Sequence, residues 1–279
     1  MRANRVLHFT PMQRRRSGSV VEGFSLVELA MVLVIIGLLA GGSIAMLLAE
    51  LNRQGYARTE AKLNTIQTTI LNFAKANGYI ACPSDITLAP SASAYGTGTG
   101  TGTVSANCTA GNLITDGSNS NVVLGSFPNK TYHLDDSYAL DGFGRPFLYA
   151  AYVPLTAVGG GTAFPIGTSI TGITIKDDAG GTRTGAAIYA LVSLGAEGHG
   201  AWPAVGGTAR RNIGATNSAV LQDCHCHSDA TASNFDSTFV EKKETGDESK
   251  GSSDSNQFDD IVRFSELFDL NNTGITASR

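Results

Sequence analysis

The chain has 279 residues, 42% of them hydrophobic and 16% charged, against about 25% charged in an average soluble domain, which excludes a disordered tail or a coat for nucleic acid. Glycine supplies 33 residues and proline 8, short of the about 25–30% that marks low complexity throughout, so the length suits one packed domain or at most two. A net charge of −4 gives no reason to expect nucleic acid or another polyanion as a partner.

In chain order, the first element is a basic leader, residues 1–23, with Arg2, Arg5, Arg14, Arg15 and Arg16 against one acid, Glu22. From residue 24 onward the balance is 15 basic against 23 acidic residues, a net −8. Leu29 to Ala49 follows as 21 residues without a charge, about 30 Å as a helix and enough to cross a bilayer. Basic residues before a first span stay cytoplasmic, so the remainder is expected to be exported. A cleaved secretory signal fits poorly, because its apolar region runs only about 7–15 residues. An acid, Glu28, also sits at the start of the apolar run, where it needs a partner.

The residues Glu22-Gly23-Phe24-Ser25-Leu26-Val27-Glu28-Leu29 resemble the type IV prepilin processing motif, shared by type IV pilins and the pseudopilins of type II secretion systems. The resemblance implies cleavage between Gly23 and Phe24 by a prepilin peptidase and methylation of the new Phe24 amine. It places Glu28 fifth in the mature chain, where the family carries its glutamate. A carboxylate one turn from a helix start is favoured by the helix dipole. Between bundled copies, the Phe24 amine of one subunit would neutralise Glu28 of a neighbour and set the register of assembly. The simpler role for Glu28 is placement near a membrane surface. The partners implied are the peptidase and methylase, other pilin or pseudopilin subunits, an inner-membrane assembly platform and, before assembly, the lipid bilayer. The implied location is a bacterial inner membrane, single-pass with the N-terminus cytoplasmic and the head periplasmic, and then the filament.

Beyond Glu50, Leu63, Ile66, Ile70 and Phe73 recur at helical spacing, the stripe a helix lays on a globular domain. Asn77-Gly78 is the expected stop. The chain therefore divides into a leader at 1–23, a long helix at 24–78 with its first half transmembrane, and a β-rich exported head at 79–279. Relatives often kink mid-helix at a proline, for which Gly41-Gly42-Ser43 would substitute as the flexible point.

In the head, Gly96 to Thr103 alternates Gly and Thr and reads as an exposed loop, since no lysine follows for a phosphate cradle. Cys82 and Cys108 bracket it; the four cysteines allow three pairings, and we favour Cys82–Cys108 because it closes this loop. The run Cys224-His225-Cys226-His227 offers soft ligands for zinc or copper, with disulfide chemistry as the plainer reading. Asp141-Gly142-Phe143-Gly144-Arg145-Pro146-Phe147 resembles the turn and strand of major pseudopilins. Ala187 to Gly198 resembles the family's strand ending in Ser-Leu-Gly-Ala-Asp-Gly, and Asp259-Asp260-Ile261-Val262 its closing segment. These imply an α+β fold: a long N-terminal transmembrane or filament helix with a small antiparallel β-sheet head. Major pseudopilins hold calcium in the loop after the Ser-Leu-Gly strand. Glu197, Asp259 and Asp260 are this chain's candidates, but an insertion separates them, so the expectation is no cofactor, with calcium the alternative. That insertion, Ala204 to Gln257, lacks an apolar period strong enough for a second core, and its residues 241–256, almost all polar, read as a mobile surface loop.

No Gly-x-Ser-x-Gly elbow, His-Glu-x-x-His or phosphate loop occurs, and spacing pairs none of His8, His133, His199, His225 and His227 with a nucleophile, so no enzyme is expected. The function implied is a structural subunit of a type IV pilus or a type II secretion pseudopilus. The alternative is a low-copy adhesive tip subunit or a membrane-tethered binding protein.

Overall fold

The computed structural model describes residues 25–98, 108, 113–115, 119–157, 170–177, 179–210, 237–241 and 260–266. The chain divides into two compact units, Met1–Leu48 and Ala49–Arg279.

One helix, α1, runs Leu26–Asn77 and supplies 52 residues. It continues through Gly41-Gly42-Ser43 without a break. Its end follows from Asn77-Gly78. The Gly78 N–H donates to Ala74 O at 2.8 Å with φ at 76°, a left-handed conformation that glycine adopts without strain. The Asn77 side chain donates to Phe73 O at 2.9 Å, satisfying another last-turn carbonyl. Within the second unit the apolar stripe is the buried face: Leu63, Ile66, Ile70 and Ala74 are wholly buried, each large side chain contributing about 1.5–3 kcal/mol.

Among the described residues, seven strands form one sheet: β1 Ile114–Thr115, β2 Val122–Ser126, β3 Leu148–Tyr152, β4 Ile173–Lys176, β5 Thr182–Ser193, β6 Thr238–Val240 and β7 Ile261–Glu266. The long β5 organises it. Ala187 pairs with Ile173 of β4 and Glu266 of β7, and Ala190 with Ala150 of β3 and Phe264 of β7. A residue can pair with two strands only on opposite edges, so β3 and β4 share one edge of β5 and β7 takes the other. Side chains alternate across this ladder. Tyr149, Ala151, Tyr189 and Leu191 join the cluster containing the α1 stripe. Leu148, Ala150, Ala190 and Val192 join a second cluster with Ile86, Trp202 and Phe239. Both faces of the central sheet are thus covered, which is why β5 from Ala187 onward reads as an unbroken buried run.

Two expectations are corrected. The sheet is neither small nor wholly antiparallel: it has seven strands, and β6 pairs with β4 in parallel, Phe239 opposite Ile175. The polar insertion expected over Ala204 to Gln257 contains β6, whose Phe239 is fully buried. Three residues are too few to carry a period in the sequence. The second correction concerns the membrane: among the described residues, no helix is long and apolar enough to cross one. The transmembrane span read at 29–49 falls, and with it the single-pass inner-membrane placement.

Candidate functional site

The feature that most needs a partner is the N-terminal arm of α1. Leu26, Val27, Leu29 and every residue from Met31 to Ile36 are exposed, as is Leu38, with relative exposures of 42% to 85% among them. Six consecutive residues at about 100° apiece circle the helix completely. This is therefore not an amphipathic stripe, which would seat in a groove, but a helix apolar on all sides, the kind found buried in a core.

The start of the arm is built by Ser25. Its Oγ accepts from the Glu28 N–H at 3.2 Å, and its carbonyl accepts from the Leu29 N–H at 3.1 Å. Ser25 is thus the N-cap and Glu28 the third helical residue, the spacing of a capping box. The Ser-x-x-Glu signal preceding an apolar run was present in the sequence and is a local explanation of Glu28 that the family motif masked. Among the described residues the Glu28 carboxylate itself has no partner. Gly23 and Phe24 lie outside the described residues.

In the second unit, the resemblance around Asp141 falls on a packed junction between α1 and the sheet. Asp141 is buried. Its Oδ1 accepts from the N–H groups of Phe143 and Arg145, both at 2.9 Å, and its Oδ2 from the Ser193 hydroxyl at the end of β5, at 2.8 Å. Burial raises the Asp141 pKa, and these hydrogen bonds with the nearby Arg145 charge oppose the rise. From α1, Thr59 Oγ1 accepts from the Gly142 N–H at 2.8 Å and donates to Gly55 O at 2.9 Å. Lys62 Nζ donates to Ser137 O and Leu140 O, each at 2.7 Å. Phe143 packs edge-on to Tyr56, centroids 5.0 Å apart. The Arg145 guanidinium donates to Gly195 O and to Ala196 O, holding the turn that follows β5. Helix, turn and central strand are locked together, and the arrangement holds a fold rather than a substrate.

Cys82 and Cys108 form a disulfide with Cα atoms 5.5 Å apart, beside Thr156, whose Oγ1 lies 3.3 Å from Cys108 Sγ. The Cys224-His225-Cys226-His227 run and Asp259 lie outside the described residues. Glu197 is half-buried and Asp260 buried. Among the described residues no group of three His, Cys, Asp or Glu side chains is placed to hold a metal ion. A ring of buried hydroxyls ties the head to the helix exit: Tyr132 OH lies 3.0 Å from Tyr149 OH, Tyr149 OH donates to Ala81 O, and the Ala81 N–H donates to Tyr132 OH. Burial raises both phenol pKa values, so both hydroxyls stay protonated.

Comparison with protein-family models, with characterised proteins and with solved structures finds no match to this chain.

Proposed function

We propose that this chain is the structural subunit of a filament, polymerising through the N-terminal arm of α1 in the manner of type IV pilins and type II secretion pseudopilins, after a prepilin-type peptidase has cut between Gly23 and Phe24. The observation that carries the reading is the arm's apolar surface on every side. A helix of this kind is satisfied only when several neighbours surround it, and copies of the same helix are the neighbours a polymer supplies. Glu28 is the only charged side chain from Ser25 to Leu38, and a carboxylate carried into such a core needs a cation, which the Phe24 amine of an adjacent copy would provide. The partners are then the peptidase and methylase, further copies of the chain and an assembly platform.

The test is direct. N-terminal sequencing of the mature protein is expected to begin at Phe24, and Gly23→Ala is expected to leave the uncut precursor with no filaments. A mature chain beginning elsewhere, or filaments built from the uncut Gly23→Ala chain, would remove the reading.

A further inference from the structure

Between Ser25 and Leu38 the described part of the arm has two polar side chains, Ser25 and Glu28. They do different things. The Ser25 hydroxyl takes the Glu28 N–H, and the Ser25 carbonyl takes the Leu29 N–H. The Glu28 carboxylate is not used in closing the first turn among the described residues. We propose that Ser25 is a positioning residue for assembly: its hydroxyl closes the first turn of α1, so that the Glu28 carboxylate is left available to a neighbouring copy. The inference rests on the filament reading above and deepens it.

The argument turns on where the cap matters. The first amides of a helix have no intrahelical acceptor. On an exposed arm, water replaces a missing cap, and little is lost. Inside a bundle of apolar helices water is excluded, and an unpartnered N–H is penalised. Without Ser25, the buried first turn has one remaining side-chain acceptor, the Glu28 carboxylate, and folding it back onto the first turn withdraws it from the neighbour. Loss of the hydroxyl therefore weakens the polymer and spares the subunit. The head keeps its own core, since none of the clustered core side chains comes from Ser25 to Leu38.

The experiment compares the full-length wild type with Ser25→Ala and Ser25→Thr, reading the N-terminal sequence of the mature chain, the melting temperature and the chain recovered in sheared filaments at a series of pH values. Expected for Ser25→Ala is a mature chain still beginning at Phe24, an unchanged melting temperature and about tenfold less chain in filaments, as loss of roughly one cap implies. Ser25→Thr, which keeps a hydroxyl acceptor, is expected to restore assembly. The pH profile of assembly is expected to change in Ser25→Ala and to return to that of the wild type in Ser25→Thr. Wild-type filament yield from Ser25→Ala overturns the inference, as does equal failure of Ser25→Thr. An uncut Ser25→Ala precursor also overturns it, because the residue would then serve cleavage. Absence of filaments from the wild type would instead sink the filament reading itself.

Discussion

Asp141 is the residue on which the junction between α1 and the sheet depends most. Its carboxylate satisfies two backbone N–H groups and one hydroxyl at once. Asp141→Ala would leave all three without that acceptor, the Ser193 hydroxyl buried and the two N–H groups partly buried, and the buried hydroxyl alone costs about 1–3 kcal/mol. Asp141→Asn keeps one oxygen for the two N–H groups and turns an amide donor toward Ser193, so its cost is expected to be the smaller. The pH dependence separates them further. Burial raises the Asp141 pKa above its ordinary 3.8, so the folded protein holds this proton more tightly than the unfolded chain does. Stability from this group is then fully present below the ordinary carboxylate value and is lost as pH rises through the raised one. Urea midpoints measured across the acid range should show this fall in the wild type relative to Asp141→Asn. A wild-type stability that instead rises relative to Asp141→Asn as pH rises would contradict the assignment.

At the scale of elements, α1 meets the Asp141 turn through glycine. A Cβ on Gly55 would overlap the Phe143 ring, and one on Gly142 would overlap Gly55 O. The first clash is with a side chain and the second with backbone, so they are expected to differ in how they can be relieved. Gly55→Ala should destabilise the fold by about 1–3 kcal/mol, and adding Phe143→Ala should recover part of that. Gly142→Ala should gain nothing from Phe143→Ala. A double-mutant cycle on denaturant midpoints reads the coupling, and strict additivity of Gly55→Ala with Phe143→Ala would refute the contact. The same elements mark what the sequence made legible. The stripe Leu63, Ile66, Ile70 and the stop at Asn77-Gly78 rest on local periodicity and turn chemistry, and the structure places them as read. Asp141 and Gly142 were visible as a motif, but their meeting with Lys62 and Thr59 depends on tertiary placement across about 80 residues. The strand β6 was not legible, because Thr238-Phe239-Val240 is short and embedded in polar sequence. At the candidate site, Ser25 as a cap could have been read from Ser-x-x-Glu. The extent of exposure along the arm could not, because an apolar run looks the same whether it faces lipid, a core or another copy.

For the whole molecule, the distribution of apolar surface sets the behaviour. The second unit, Ala49–Arg279, holds every described residue of the three buried clusters. The arm, in contrast, exposes large side chains from Leu26 to Leu38, a surface that in water drives association at about 25 cal/mol per Å² buried. Deleting residues 1–48 should therefore separate the two properties. The truncated chain is expected to be monomeric by sedimentation, to retain the melting temperature of the second unit, and to form no filaments. The intact mature chain should associate in a concentration-dependent way. Glu28→Gln should permit association but lower the order of the product, since it removes the charge that would fix the register between neighbouring helices without reducing apolar area. Electron microscopy of the two products distinguishes these outcomes. Self-association of the truncated chain equal to that of the intact one would move the polymerising surface off α1, and regular filaments from Glu28→Gln would leave apolar contact alone to set the register.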